Sequence, residues 1–339
     1  MKKIGIWNFY ENLNHNNYIL HQKNSGIGDD LLLPFNHLYR SGHKQEINFQ
    51  TLDMGNFDDF KEFIFFDFPR LDNKLVQKAF ISNKSKYLVI LENEVIKKDN
   101  WDKDNHKYFE KIFTWNDDLV DNKKYFKINY SYQFPATINK DLSIKNKLCT
   151  LIASNKKVNH PLELYTERFR AIKWFENNHP NEFDLHGFGW DQYVSNNKYI
   201  NFFLNKLRLS GLIKKNLLTY KGKIESKKTV LIKYKFAICY ENALNIPGYI
   251  TEKIFDCFFS GCVPIYLGPK NIFEHIPHNC FIDKRNFKSY ENLYEFIKNM
   301  SDQKYLSYLA NIEKFLNSDK ALQFSCEYFS NTLISNLSE

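Results

Sequence analysis

The chain has 339 residues, of which 43% are hydrophobic and 17% aromatic, and its 47 Lys and Arg outnumber 39 Asp and Glu for a formal charge of +8. That balance excludes a disordered or collagen-like chain, and the length suits two domains with separate cores. No apolar run approaches the roughly 20 residues of a membrane span, and the lysines are scattered without a zinc-finger, helix-turn-helix or RNP pattern, so neither a transmembrane segment nor nucleic-acid binding is expected. Six cysteines, Cys149, Cys239, Cys257, Cys262, Cys280 and Cys326, sit mostly in apolar runs and form no Cys-x-x-Cys pair. Reduced, buried thiols and a cytoplasmic protein follow, with peripheral contact at an anionic membrane left open by the positive charge.

Lys3 to Phe9 starts as a strand. Asn24 to Gly28, with Gly26 and Gly28, reads as a turn before an apolar-rich helical stretch from Asp30 to Tyr39. Phe63 to Phe68 and Tyr87 to Leu91 are buried strands by their apolar content, and the second runs directly into Glu92-Asn93-Glu94. Asp102-Lys-Asp104 has a metal-binding form but lies in a lysine-rich run without flanking strand character, so a solvated surface is expected there. Lys147 to Ser154 is a strand entering a polar loop. Leu162 to Asn178 has helical spacing through Leu164, Phe169, Ile172 and Phe175, and it carries Arg168 and Arg170. Phe183 to Trp190 reads as a strand and a turn at Gly187 and Gly189, where backbone could approach a ligand closely.

The most telling segment runs from Tyr234 to Leu267. An apolar strand ends in Glu241 and Asn242, and Asn245, Pro247 and Gly248 then break the chain. From Thr251, an expected N-cap, a helix places Ile254, Phe255, Phe258 and Phe259 on one arc, with Glu252, Lys253 and Asp256 opposite. Gly261 stops it, and Cys262 to Leu267 forms a second buried strand. In such a βαβ unit the loop and helix N-terminus lie at the carboxyl edge of the sheet, where ligands bind. The helix dipole and Lys253 favour an anion such as a diphosphate, while Glu252 suits hydroxyls such as those of a ribose. Farther on, His275-x-x-His278-x-Cys280 is broken by Pro277 and reads as a turn, not a metal cluster. Leu293 to Asn299, Tyr305 to Leu316 and Cys326 to Leu337 read as helices.

Tyr240-Glu241-Asn242, then Gly248-Tyr249-Ile250-Thr251-Glu252-Lys253-Ile254, then Val263-Pro264-Ile265-Tyr266-Leu267-Gly268 resembles the signature of the α-1,3/4-fucosyltransferase family. The likeness is strongest from about Cys149 to Phe287. It implies an α/β protein of GT-B architecture, with two Rossmann-like domains facing across a cleft: residues 1–145 on the acceptor side, 146–310 binding GDP-fucose, and 311–339 a C-terminal helical segment. It also implies an inverting glycosyltransferase in which Asn242, Tyr249, Glu252 and Lys253 line the donor site. Glu252 would meet the ribose and Lys253 the phosphates, with Arg168, and Arg170 behind it, as the candidates for neutralising the departing diphosphate.

The family's general base lies in an acidic motif after a strand, which implies Glu92 or Glu94 here. Bacterial strings of the form Glu-Asn-Glu-Ser favour Glu92, whereas the animal Glu-Ser-Pro form favours Glu94, and Val95-Ile96 departs from Ser-Pro. The reaction implied is a single displacement that moves L-fucose from GDP-fucose to a glycan hydroxyl, by default in α-1,3 linkage. No metal or other cofactor is required in it. A different GDP-sugar donor, or a catalytically silent glycan-binding protein, would fit the same motifs.

Overall fold

Apolar runs buried on both faces suit a parallel sheet, because crossover helices cover it above and below. The segments KKIGIWN, FKEFIFF and KYLVI meet that demand. In the computed structural model, which describes residues 1–23, 29–191, 203 and 217–338, the chain divides into two compact units. The first comprises Met1–Phe134, Pro247–Tyr249 and Ser318–Glu339, and the second Pro135–Ile246 and Ile250–Asn317.

Among its described residues the first unit holds six strands, β1 (Lys2–Asn8), β2 (Ile47–Thr51), β3 (Phe60–Phe66), β4 (Lys86–Ile90), β5 (Lys111–Thr114) and β6 (Tyr125–Lys127), in the order β2-β1-β3-β4-β5-β6. Every neighbouring pair is parallel. Alternate residues of β3 feed two cores: Phe63 and Phe65 join Trp7, Leu88 and Ile112 on one face, while Ile64 and Phe66 join Ile4, Tyr87 and Phe113 on the other. The helix Cys326–Ile334 returns to this second face. Its Phe329 ring lies 6.0 Å from Phe35, which itself sits edge-on at 4.8 Å to Phe66.

The second unit holds β7 (Lys147–Ile152), β8 (Phe183–His186), β9 (Tyr234–Tyr240), β10 (Val263–Leu267) and β11 (Ile282–Asp283), all parallel, in the order β11-β10-β9-β7-β8. The helix Tyr165–Asn178 lies between β7 and β8 in sequence, and Glu252–Phe259 lies between β9 and β10. In both sheets the first strand lies between the second and the third, so winding reverses beside it. That reversal is the topological switch point, where open α/β sheets bind ligands outside the carboxyl ends of their strands. In the second unit it falls between β7 and β9.

The expected α/β class with two Rossmann-like domains holds. The helix expected from Asp30 begins at Leu33 and runs to Lys44, and the turn at Asn24 to Gly28 lies outside the described residues. Asp102 proves to be a helix cap, accepting the Asp104 N–H at 3.0 Å, and Asp104 pairs with Lys107. Among the described residues no helix is long and apolar enough to cross a membrane.

Candidate functional site

Strand β9 ends in a carboxylate that local pattern does not explain. Glu241 is fully buried, and its oxygens accept the Thr251 N–H at 2.8 Å, the Thr251 hydroxyl at 2.7 Å and the Tyr266 hydroxyl at 3.0 Å. Lys253 Nζ lies 3.3 Å from the same carboxylate. Four donors compensate a charge that would be prohibitively costly alone, and they tie the end of β9 to the start of the next helix and to β10. Thr251 occupies the N-cap position, as expected. Its hydroxyl does not cap the helix, however; it donates to Glu241 and accepts from Lys253 at 2.9 Å.

Arg168, in the first turn of the helix Tyr165–Asn178, is nearly as buried. Its Nη2 donates to the carbonyls of Tyr240 and Glu241 at 2.6 and 2.7 Å and to Asn242 Oδ1 at 2.9 Å. Two of the expected donor residues, Arg168 and Asn242, are therefore bonded to each other, and the guanidinium braces the loop that leaves β9.

Glu252 and Lys253 open the helix Glu252–Phe259, with Lys253 Nζ 3.5 Å from Glu252 Oε1. Lys227, the first residue of the helix Lys227–Leu231, reaches the same helix: its ammonium is 2.7 Å from Asp256 Oδ2 and 3.4 Å from Glu252 Oε1. Burial alone would raise the Glu252 pKa, but the charges of Lys253 and Lys227 and the helix-end backbone N–H hold its carboxyl well below the usual carboxylate range. Burial likewise pulls the Lys227 ammonium towards neutrality, and Asp256 and Glu252 outweigh it, leaving the pKa raised. Arg168, Lys227 and Lys253 line one narrow cavity with the ends of β7 and β9. This is the switch point of the second sheet, and its chemistry suits a phosphorylated ligand.

The remaining expected site residues lie elsewhere. Tyr249 is grouped with the first unit, where its buried ring rests 4.7 Å from Trp115 and 6.4 Å from Tyr130. Gly248 beside it has φ +77°, and a Cβ there would lie 2.1 Å from the Trp115 carbonyl oxygen, so only glycine lets the loop seat. Gly187 serves a similar end. With φ +130° and a Cβ position 2.0 Å from the Ala153 oxygen, it lets the β8 turn pack on the loop after β7.

Glu92 and Glu94 follow β4 at the carboxyl edge of the first sheet, as expected from the sequence, and both are partly buried. Glu92 is held at several points. Its Oε1 accepts the Tyr10 hydroxyl at 2.8 Å, its N–H donates to Asp67 Oδ1 at 2.9 Å, and its carbonyl accepts from Asn100 at 3.1 Å and Trp101 at 3.2 Å. Asp67 is buried at the end of β3. Burial and the nearby Glu92 charge push its pKa up to about 7, against the backbone N–H groups of Glu92 and Leu91 and the Asn100 amide.

Sequence reasoning missed Glu241, Lys227, Asp256 and Asp67 as parts of these networks. A carboxylate closing an apolar strand was the available signal for Glu241. Lys227 offered none among so many lysines.

Residues 192–330 match the family model described as glycosyltransferase family 10 (fucosyltransferase) C-term. The chain is 33% identical over 81 residues to an α-(1,3)-fucosyltransferase of Helicobacter pylori, covering 24% of this chain and 17% of that protein. It is 38% identical over 69 residues to an α-(1,4)-fucosyltransferase of Arabidopsis thaliana, covering 20% and 17%. A mouse 4-galactosyl-N-acetylglucosaminide 3-α-L-fucosyltransferase is 32% identical over 105 residues, 28% of each chain. The matched segments thus span less than a third of the length of these relatives. In fold, the chain is similar to a crystal structure of an α1,3-fucosyltransferase with GDP, at TM-score 0.55 and 16% identity over 99% of this chain and 91% of that one. Anabaena HepE in complex with UDP and glucose scores the same, 0.55, at 9% identity over 99% and 98%. The fold therefore does not select the nucleotide. The sequence matches bear out the resemblance to the α-1,3/4-fucosyltransferase family.

Proposed function

We propose that the chain is an inverting glycosyltransferase that transfers L-fucose from GDP-fucose to a hydroxyl of a glycan acceptor, in α-1,3 linkage. The observation that carries this reading is the cationic cavity of Arg168, Lys227 and Lys253 at the second sheet's switch point, with the ionised Glu252 at the adjoining helix end. It lies within a unit much of which matches the fucosyltransferase family model. Lys253 and Arg168 would stabilise charge growing on the leaving diphosphate, which is where electrostatic help lowers a barrier. Glu252 would accept ribose hydroxyls, and Asn242 and Tyr249 complete the proposed donor set.

The first domain supplies the acceptor side and the base in this account. Glu92 or Glu94 takes the proton of the acceptor hydroxyl, its oxygen forms the new bond to the anomeric carbon, and the old bond breaks with its electron pair leaving on GDP. The protein's own cations serve the diphosphate, so no metal is required. Six free, buried cysteines support placing the protein in a reducing cytoplasm.

A donor panel tests the reading. GDP-fucose, GDP-mannose and UDP-glucose are each incubated with the protein and galactose- or N-acetylglucosamine-containing oligosaccharides, and released nucleotide is measured. Turnover of GDP-fucose above the others is expected. Preferential turnover of UDP-glucose would overturn it.

A further inference from the structure

The lysine that the motif supplies is already committed. Lys253 Nζ has three donors, and it faces the Thr251 hydroxyl at 2.9 Å, Glu241 at 3.3 Å and Glu252 at 3.5 Å. Lys227 lines the same cavity from another helix and faces two partners, Asp256 at 2.7 Å and Glu252 at 3.4 Å. Its third N–H meets no acceptor among the described residues. A charge count points the same way. Arg168, Lys227 and Lys253 balance Glu241, Glu252 and Asp256, so without Lys227 the cluster would be net negative before any phosphate arrived. Stability does not account for the arrangement, since the three side chains are 17–25% exposed and neither exposed nor buried ion pairs stabilise a fold much.

We propose that Lys227 is a diphosphate-binding residue: its remaining donor grips a phosphate oxygen of the nucleotide while Asp256 and Glu252 hold the ammonium in place. The inference rests on the donor site proposed above and adds a ligand that the motif does not contain. Lys253, on this view, acts chiefly as a charge and as the brace between Glu241 and Glu252.

Calorimetric titration of the full chain tests it, with GDP and with guanosine as probes, on the wild type, Lys227→Met, Lys227→Arg and the double variant Lys227→Met/Asp256→Leu. The double variant removes the acid along with its lysine and so guards against a simple folding defect. Loss of one charge-assisted hydrogen bond is expected to weaken GDP by about ten- to hundredfold in both Met-containing variants. Guanosine should bind as in the wild type, and Lys227→Arg should recover part of the loss. Wild-type GDP affinity in Lys227→Met, or its restoration in the double variant, would reduce Lys227 to a partner of Asp256 and overturn the proposal. A wild-type chain that binds no GDP would instead remove the donor-site reading and the proposal with it.

Discussion

Replacing Arg168 with alanine should unfold the second unit more readily, not merely slow a reaction. The side chain is 6% exposed, and the two hydrogens of Nη2 serve three oxygens, those of Tyr240, Glu241 and Asn242. Hydrogen bonds to a charged group contribute roughly 1.5–3 kcal/mol each, so two hydrogens set a gross loss of about 3–6 kcal/mol. Relief of the buried guanidinium's desolvation offsets part of this, which leaves about 3 kcal/mol. Against a typical total of about 5–15 kcal/mol that is a severe defect. At a urea slope of about 1–3 kcal/mol per molar, the far-UV circular dichroism transition should move down by at least about 1 M. Arg168→Lys keeps the charge but lacks the planar fork, and should fall between the two. An alanine variant that unfolds with the wild type while losing GDP affinity would refute this reasoning and make Arg168 a ligand-binding group alone.

The two candidate bases separate by single substitutions. Glu92→Gln should cut kcat by two orders of magnitude or more, on the scale of about 10²–10⁴-fold for general base catalysis, with little change in KM for the donor. Glu94→Gln should stay within a few-fold of the wild type, because the Tyr10 hydroxyl holds the Glu92 carboxylate while Asp67, Asn100 and Trp101 pin the Glu92 backbone; the reverse result would exchange the roles. Asp67 gives a pH signature. Its folded pKa, near 7, exceeds the unfolded value of about 3.9, so the native state binds the extra proton and stability falls as pH rises from about 4 through about 7. Asp67→Asn should flatten that slope, read as urea midpoints at pH 5 and pH 8, and parallel curves for the two proteins would count against it. Transfer should survive EDTA with most of its rate; complete loss restored by Mn²⁺ would require a metal in the mechanism.

The strands were legible because parallel sheets bury continuous apolar runs, and FKEFIFF and YKFAICY are such runs. The helix at Glu252 was legible because its apolar arc repeats at helical spacing. Pairings that join distant segments were not. Nothing local marks Tyr249 as resting on Trp115, or Phe329 as returning to cover Phe35 and Phe66, since both contacts link residues far apart in the chain. Arg168 was singled out by the family resemblance, yet its bond to Asn242 depends on how β9 ends beside that helix. Lys227 became distinguishable only when the fold set its ammonium beside two acids of another helix.

Whether the cationic cavity serves fucosyl transfer with inversion is tested most directly by NMR of the product. The protein is incubated with GDP-fucose and a series of short galactose- and N-acetylglucosamine-containing oligosaccharides, and the new anomeric proton and its linkage are assigned. The expected product carries fucose at a 3-hydroxyl with the anomeric configuration opposite to that in the donor. Fucose joined with the donor's configuration retained, or no fucosylated product from any acceptor, would contradict the account.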